Sequence, residues 1–314
     1  MGNPSEGFLR KLKDSPLIRT PYNKLLYFKQ WLLYKAPKAR AHEKYYLKSM
    51  KKPLNLENPK DLNEKLQWCM VNEYDGRFAK YADKYAVREY IEAIGYASIL
   101  PKIYGAYSNA NDIDFDVLPQ KFVLKGNHGS GPEYLVICKD KNKLDIPAAR
   151  RKLNRVLKEN FALKQFEYHY ADIERRIICE EFLEDKKGGT PADYKIMCFN
   201  GRAHSIKACA ERDGHDVRFT VFDREWNPLP YIEGYWYTEN LPEKPENLEK
   251  MLEIAEKISQ PFSFARIDLY NIDGKIYFGE ITLTPAAGVI HFFTQDSLDL
   301  YGDMFDITKP IYHE

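Results

Sequence analysis

The chain has 314 residues, of which 44% are hydrophobic and 30% charged, a composition typical of a globular protein that excludes extensive disorder. Its net charge of +1 conceals an asymmetry. Residues 1–52 contain thirteen Lys and Arg against three acidic residues, so this segment carries +10 and the remainder −9. The length predicts one enzyme-sized unit of two or three lobes.

The cysteines and the hydropathy pattern indicate a reducing compartment. Five cysteines show neither a C-x-x-C pair nor the spacing of metal ligands, and no secretion signal or membrane-spanning apolar run is visible. We therefore expect a cytoplasmic protein. Separately, no nucleic-acid partner is expected.

A basic aromatic arm, residues 1–52, opens the chain. Within it, residues 17–35 combine Leu, Tyr, Phe and Trp31 with Lys at helical spacing, which is typical of a helix in a membrane interface. One interpretation is peripheral contact with the inner face of the cell membrane or with an anionic glycan. The alternative is a solvated helix packed on the acidic remainder of the chain.

The elements that follow alternate between helices and short strands. Helices are predicted over 61–95, ending at Gly95, and over 147–160 and 245–259. Strands are predicted over 121–125, 134–139, 175–183, 193–210 (with a turn at Asn200-Gly201), 218–231, 265–270 and 275–283. Antiparallel hairpins with helices between them predict an α+β fold and not a doubly wound parallel sheet.

A glycine-rich loop, Lys-Gly-Asn-His-Gly-Ser-Gly, occupies residues 125–131. Glycines let the backbone approach a ligand and direct its N–H groups at phosphate oxygens, and Lys125 adds a positive charge. The loop leads into a strand and no Gly-Lys-Ser/Thr closes it, so it is neither a P-loop nor the dinucleotide fingerprint. We interpret it as a phosphate flap; an ordinary Gly-rich hairpin is the alternative.

Two acidic residues, Asp268 and Glu280, flank the turn at 271–274. This turn suits a type I turn followed by a Gly bulge, and the odd loop length would place Arg266, Asp268, Glu280 and Thr282 on one face. Two carboxylates and a hydroxyl predict a Mg²⁺ site, and Arg266 could stabilise a transferring phosphoryl group. A solvent-facing salt-bridged hairpin is the alternative, and a two-residue turn would place the two carboxylates on opposite faces.

Other polar residues are ambiguous from their spacing alone. Lys84 lies within a predicted helix, where a surface lysine is the ordinary interpretation. Glu180 and Glu181 end a buried-looking strand, where carboxylates are costly unless they meet a ligand or a partner. Lys195 alternates with Asp193 on one face of a predicted strand, so its side chain can point into a ligand-binding cleft. His128 can either contact a ligand or pack beside the glycine loop.

Taken in chain order, five segments between residues 60 and 290 resemble the TupA-like ATP-grasp family, named for teichuronopeptide biosynthesis. They are ADKYAVREYIEAIG (82–95), KFVLKGNHGSG (121–131), IICEEFL (177–183), DYKIMCFNG (193–201) and ARIDLYNIDGKIYFGEITLTPAAG (265–288). The resemblance implies an ATP-grasp fold, in which two α+β lobes grip ATP. The expected division is an arm (1–52), an N-terminal lobe (53–118), a lid with the flap (119–184) and a C-terminal lobe with the metal site (185–314).

The same resemblance implies roles for the ambiguous residues. The residues assigned to ATP, including an adenine-reading hinge at 180–183, are Lys84, Lys125, His128, Gly129, Ser130, Gly131, Glu180, Glu181, Phe182, Leu183 and Lys195. Asp268, Glu280 and Thr282 would hold Mg²⁺, with Thr282 standing where ATP-grasp enzymes usually have Asn. Arg266 and Lys195 are the expected catalytic residues.

The implied reaction is carboxylate–amine ligation through an acylphosphate. Related proteins act in surface polysaccharide assembly, so the expected substrates are the carboxylate of a sugar or glycan, a uronic acid in particular, and the amine of an amino acid or peptide. A kinase that uses the same site on a hydroxyl acceptor is a second hypothesis. A glycosyltransferase-like or non-catalytic glycan-binding protein is a third.

Overall fold

The computed structural model describes residues 16–186, 192–213, 216–238 and 240–313. The start of the basic arm, residues 1–15, lies outside them. Nine α-helices are described: α1 (Pro16–Tyr34), α2 (Lys38–Met50), α3 (Leu62–Asn72), α4 (Ala79–Ala82), α5 (Val87–Ala93), α6 (Ile146–Val156), α7 (Ala162–Gln165), α8 (Leu248–Ser259) and α9 (Gln295–Met304). No helix in the described ranges is both long and apolar enough to cross a bilayer.

Ten strands form two antiparallel sheets. They are β1 (Ile103–Tyr107), β2 (Phe122–Gly126), β3 (Leu135–Cys138), β4 (Ile177–Glu181), β5 (Ala192–Phe199), β6 (Arg202–Asp213), β7 (Asp216–Phe222), β8 (Pro228–Leu229), β9 (Phe264–Ile272) and β10 (Lys275–Thr282). One sheet has the order β1-β4-β2-β3 and the other the order β10-β9-β5-β6-β7-β8. The α+β prediction is confirmed, and the predicted hairpins at 193–210 and 265–283 both form.

The four-stranded sheet has its own core. Phe122 and Leu124 on β2 pack with Leu153 and Val156 of α6 beneath it. The predicted boundary between residues 118 and 119 does not separate the sheets, because β1, assigned to the N-terminal lobe, pairs with β4. Helices α3 to α5 instead share a core with the six-stranded sheet.

The six-stranded sheet has one apolar and one charged face. Helix α8 covers the apolar face with the predicted stripe of Leu248, Met251, Leu252, Ala255 and Ile258, all of which are buried. Side chains alternate along a strand, so residues such as Ile267 and Leu269 face α8 while Arg266 and Asp268 face the other way. The functional residues therefore lie on the side that α8 leaves uncovered.

Two sequence-based expectations about local structure are wrong. Lys84 is not within a helix, because α4 ends at Ala82 and the backbone of Asp83 is extended, with φ −73° and ψ 114°. The β9–β10 turn is not a type I turn with a following bulge. Lys275 pairs with Ile272, so the turn has two residues, Asp273 (φ 49°) and Gly274 (φ 82°), as in a type I′ turn.

A β-bulge at Gly279 cancels the effect of the short turn. Without it, a two-residue turn would place Asp268 and Glu280 on opposite faces. The register shifts between Phe278 and Glu280, so that Glu280 lies directly opposite Asp268 and Thr282 opposite Arg266. The predicted shared face is thus present, but a bulge produces it rather than the turn.

Glycine is required at the bulge by close approach of the backbone. A Cβ at position 279 would lie 2.9 Å from the backbone oxygen of Asp268. We expect Gly279→Ala to lower the free energy of unfolding by about 1–3 kcal/mol, because the backbone must move to relieve the overlap. Hydrogen exchange should also show lower amide protection around Asp268.

The matched control is Gly274→Ala in the same hairpin. A Cβ there meets nothing within 4 Å, although the positive φ makes it strained. We expect this variant to cost about 1 kcal/mol and to leave protection around Asp268 unchanged. Equal exchange in the two variants would contradict a special role for the bulge.

Candidate active site

A row of charged residues crosses four strands of the six-stranded sheet. Glu280 on β10 lies opposite Asp268 on β9, Asp268 opposite Lys195 on β5, and Lys195 opposite Lys207 on β6. Directly opposed residues point to the same face, so the four side chains share one surface. Two bulges align the row: the one at Gly279 and one on β6, where His204 is the extra residue between Ala203 and Ser205.

Arg266 forms a fork with Asp268 at the centre of the row. Its Nε donates to Asp268 Oδ1 at 2.6 Å and its Nη2 to Oδ2 at 2.7 Å. Nη2 also donates to Glu280 Oε1 at 3.1 Å and Thr282 Oγ1 at 2.9 Å. Burial alone would lower the pKa of Arg266, but the charges of Asp268 and Glu280 raise it. The guanidinium is therefore a permanent positive charge between two carboxylates.

Glu280 is held as a carboxylate. Burial would raise its pKa, but the positive charges of Lys84, Arg266 and Lys195 lower it well below its usual range. Thr282 Oγ1 donates to Glu280 Oε1 at 2.9 Å, and Lys84 Nζ lies 3.4 Å from Oε2. Glu280 can therefore act as an anionic ligand at neutral pH.

Lys195 bridges two aspartates on the same face. Its Nζ lies 2.6 Å from Asp268 Oδ2 and 2.7 Å from Asp193 Oδ2. Burial lowers the pKa of Lys195, but Asp268, followed by Asp193, reverses this and raises it overall. Both carboxylates of the row thus have cationic neighbours, which compensates for their burial.

Lys84 joins the glycine loop to the charged row. Its backbone N–H donates to Asn127 O at 3.1 Å, and its Nζ donates to Gly129 O at 2.9 Å. Asn127 is buried, and its Nδ2 donates to Asp83 Oδ1 at 2.8 Å and to Glu174 O at 2.8 Å. Asn127 therefore fixes the segment that carries Lys84, a role that its place among the glycines did not reveal.

The predicted flap connects β2 to β3, as expected. Residues 125–131 leave β2 at Gly126 and enter β3 through a short 3-10 helix at Pro132–Tyr134. Ser130 and Gly131 are exposed at its tip. His128 is buried and its ring nitrogens contact Val156 O at 3.1 Å and Asn127 Oδ1 at 3.2 Å, so the structure supports the packing alternative. Burial lowers the pKa of His128 to about 4.

Lys125 and Glu180 form a buried ion pair between neighbouring strands. Lys125 Nζ lies 2.6 Å from Glu180 Oε2, and the two side chains are 20% and 8% exposed. Glu181 instead supports the chain before β1, since its Oε1 accepts from Lys102 N at 2.7 Å. Phe182 and Leu183 follow β4 as irregular backbone at its end.

Two titratable residues of the site escaped sequence-based prediction. Glu167 is buried and accepts a hydrogen bond from Thr284 Oγ1. The pKa of Glu167 is raised to about 7, mainly by burial. The hydrogen bond from Thr284 lowers this pKa, the charge of Glu280 raises it, and the charge of Lys84 lowers it. Lys207 ends the charged row, and burial together with Arg266 and Lys195 lowers its pKa to about 7.

No local signal indicates either residue. Glu167 meets the site through tertiary contact, since its hydrogen-bond partner Thr284 is 117 positions away in the chain. Extending strand pairing from the Asn200-Gly201 turn would place Lys207 on the face opposite Lys195, and the bulge at His204 reverses this.

The residues present fit a magnesium ion that ATP phosphates would help to hold. Among the described residues no group of three or more His, Cys, Asp and Glu gathers as a self-sufficient metal site. Asp268 and Glu280 share a face with the Thr282 hydroxyl, and Mg²⁺ is usually bound by one or two carboxylates plus phosphates. The neighbouring cations, Arg266, Lys195 and Lys84, suit the phosphates themselves.

Comparison with known families decides which fold this is. The sequence model of the family described as TupA-like ATPgrasp matches residues 64–306. The chain belongs to the TupA-like ATP-grasp family. The resemblance of the five sequence segments and the expected ATP-grasp fold are thereby confirmed. No curated protein matches the chain in sequence.

Several solved structures are similar at low identity. An N5-carboxyaminoimidazole synthetase from Staphylococcus aureus complexed with ADP is 12% identical, with a TM-score of 0.43 over 66% of this chain and 46% of that one. An L-amino acid ligase from Bacillus licheniformis is 15% identical, with a TM-score of 0.45 over 68% and 45%. A D-alanine–D-alanine ligase from Bacillus anthracis complexed with ATP is 16% identical, with a TM-score of 0.39 over 86% and 72%. The chain spans about half the length of the first two.

We expect Lys125→Met to destabilise the fold by roughly 3 kcal/mol, because it leaves the carboxylate of Glu180 buried without its partner. Lys121→Met is the matched control, because Lys121 directly precedes β2, the strand that carries Lys125. Lys121 pairs with Glu184, and these side chains are 47% and 30% exposed, so the loss should stay below about 1 kcal/mol. Urea unfolding measures both, and equal losses would show that Glu180 does not depend on Lys125.

Proposed function

We propose that this ATP-grasp protein is an ATP-dependent carboxylate–amine ligase that acts through an acylphosphate. Its expected substrates are a uronic-acid carboxylate of a cell-surface polysaccharide and the amine of an amino acid or peptide. The observation that carries the proposal is the charged row: two neighbouring carboxylates that suit magnesium lie beside cations that suit phosphate and developing negative charge, on one face of one sheet.

The proposed nucleotide site lies between the flap and the row. Lys84 already contacts both Gly129 of the flap and Glu280 of the row, so its ammonium is within reach of a phosphate held between them. Lys125 would contact a phosphate from β2, and Lys195 another from β5. The backbone at 129–131 would cover the phosphates, and the backbone at 180–183 would read adenine.

Arg266 is the proposed catalytic residue for phosphoryl transfer. A carboxylate oxygen of the substrate attacks the γ-phosphorus, ADP leaves, and an acylphosphate forms. Arg266 presents a fixed guanidinium beside Asp268 and Glu280, where it can stabilise charge on the transferring group. Magnesium held by Asp268, Glu280 and Thr282 would supply further positive charge for the phosphates.

Amide formation completes the proposed reaction. The amine attacks the acyl carbon, phosphate leaves, and the amine nitrogen loses a proton. Positioning and electrostatic stabilisation account for most catalysis of this kind. The chain offers a group that can exchange a proton near neutral pH, since Glu167 has its pKa raised to about 7 by burial.

We expect wild-type protein to release ADP only when a carboxylate is present, and to form a hydroxamate when hydroxylamine replaces the natural amine. Hydroxylamine traps an acylphosphate but not a phosphate ester, so hydroxamate separates the ligase from the kinase. Mass spectrometry of the natural product separates them again, as an amide or a phosphate adduct. A glycan-binding protein without catalysis would show no thermal shift with ATP.

We expect Glu280→Gln to reduce ADP release at least about 100-fold, because the amide cannot replace an anionic metal ligand. The matched control is Glu253→Gln, which alters an exposed pair with Lys250 and should leave turnover unchanged. Turnover retained in Glu280→Gln would remove Glu280 from the metal site and contradict the proposal.

The basic arm is proposed to hold the enzyme at an anionic membrane surface. One side of α1 contacts the body, since Gln30 Nε2 donates to Lys164 O at 2.6 Å and the Tyr34 ring stacks on Tyr168 at 4.9 Å. Large apolar residues elsewhere on this helix are exposed, and because four of them are consecutive they occupy more than one side: Leu25, Leu26, Tyr27, Phe28, Trp31 and Leu32. Such a helix, rich in lysine, suits the boundary between headgroups and acyl chains.

Replacing Phe28 and Trp31 by Ser should weaken binding to phosphatidylserine-containing liposomes, and binding of the wild type should fall with salt. The control replaces Val117 and Ile137, which are also exposed but lie outside the arm. Sedimentation measures the bound fraction. Equal binding of both double variants would favour the packed-helix alternative.

A further inference from the structure

Lys207 has a surrounding unlike that of the other cations of the row. Its Nζ lies 4.2 Å from the ring centroid of Phe219 and 4.3 Å from that of Phe292. No hydrogen bond or ion pair joins it to a described residue, whereas Lys195 lies against two aspartates. The two rings stabilise the ammonium without neutralising it. An anion that enters the cleft is therefore the partner that this side chain lacks.

An exposed aromatic wall continues from this cage. The ring of Trp236 stacks on Phe219 with a centroid distance of 6.0 Å and an interplanar angle of 21°. Tyr235, Trp236 and Tyr237 are 54%, 38% and 38% exposed, and the Arg218 guanidinium lies 5.3 Å from the Tyr235 ring. We call residues 235–237 the aromatic wall. A contiguous group of exposed aromatic rings is typical of a ligand-binding surface.

The chemistry of the wall and cage suits an acidic sugar. The C–H groups on a pyranose face pack on aromatic rings, while its hydroxyls remain hydrated or bond to the polar ends of Tyr and Trp. A carboxylate on the ring would meet Lys207. Burial and the charges of Arg266 and Lys195 lower the pKa of Lys207 to about 7. Entry of the carboxylate would favour the charged form of Lys207.

We propose that the aromatic wall and Lys207 form the acceptor subsite, in which the wall binds the ring face of a uronic acid and Lys207 binds its carboxylate. The subsite lies at the end of the row, because Lys207 is directly opposite Lys195, which in turn contacts Asp268. A carboxylate at Lys207 is thus next to the side chains that suit phosphate. The role of this subsite in the reaction rests on the proposed function, whereas its position rests on these contacts.

The test compares two matched probes on the full chain: methyl β-D-glucuronide and methyl β-D-glucoside, which differ only in carboxylate against hydroxymethyl. Isothermal titration calorimetry should show the wild type binding the glucuronide at least about tenfold more tightly. Lys207→Met should remove this preference by weakening only the glucuronide. Trp236→Ala should weaken both probes.

The matched control is Lys275→Met. Lys275 also lies over an aromatic ring, 4.4 Å from the centroid of Tyr277, but it is exposed and lies outside the row. We expect it to bind both probes as the wild type does. The ratio of the two affinities reports on the carboxylate contact, which a purely structural role of Lys207 would not change.

Failure of the subsite is distinguishable from failure of the ligase reaction. The acceptor subsite is wrong if the wild type binds neither probe, if it binds both equally, or if Lys207→Met keeps the preference for the glucuronide. This holds even if other carboxylates support hydroxamate formation. If the preference is present and depends on Lys207 while no carboxylate supports ADP release, the subsite stands and the ligase reaction is wrong. If the aromatic wall instead binds a protein partner, the wild type should bind neither probe, and the acceptor subsite is wrong.

Discussion

The pairing of Asp268 with Glu280 across the β9–β10 hairpin is the constraint on which the site depends. A two-residue turn alone would point these carboxylates to opposite faces, and the bulge at Gly279 returns them to one. Every other contact of the row follows: Arg266 can bridge both carboxylates, Thr282 can donate to Glu280, and Lys195 can reach Asp268 from the next strand.

Burying this much charge requires that opposite charges meet. Asp268 and Glu280 are compensated by Arg266, Lys195 and Lys84, which explains why the pKa of Glu280 falls despite burial. Removing one partner from such a cluster is far more costly than removing an exposed pair. The same charged residues suit the proposed function, because the cations can bind the phosphates of ATP while the carboxylates bind magnesium.

Much of the architecture was predictable, since hairpins and amphipathic helices leave local patterns. The strands around the glycine loop, the α8 stripe and the Asn200-Gly201 turn form as predicted. The shared face of the acidic hairpin was predicted through the wrong turn, because the prediction rested on the turn residues and not on Gly279, whose isolated place inside a strand is the local signal of a bulge. The local pattern predicts a helix at Lys84, but the helix ends before it. Lys84 instead contacts Asn127 and Gly129, which come from another part of the chain.

The sequence by itself determined the family, the α+β class and most residues of the charged row, because motifs in a fixed order and alternating strands are local properties. Tertiary structure alone decided which of those residues meet. Two bulges set the register that brings Lys207, Lys195, Asp268 and Glu280 into line. Folding also brought Glu167 to Thr284, and Phe219 and Phe292 to Lys207, because contacts between distant segments depend on packing that no short stretch of sequence encodes.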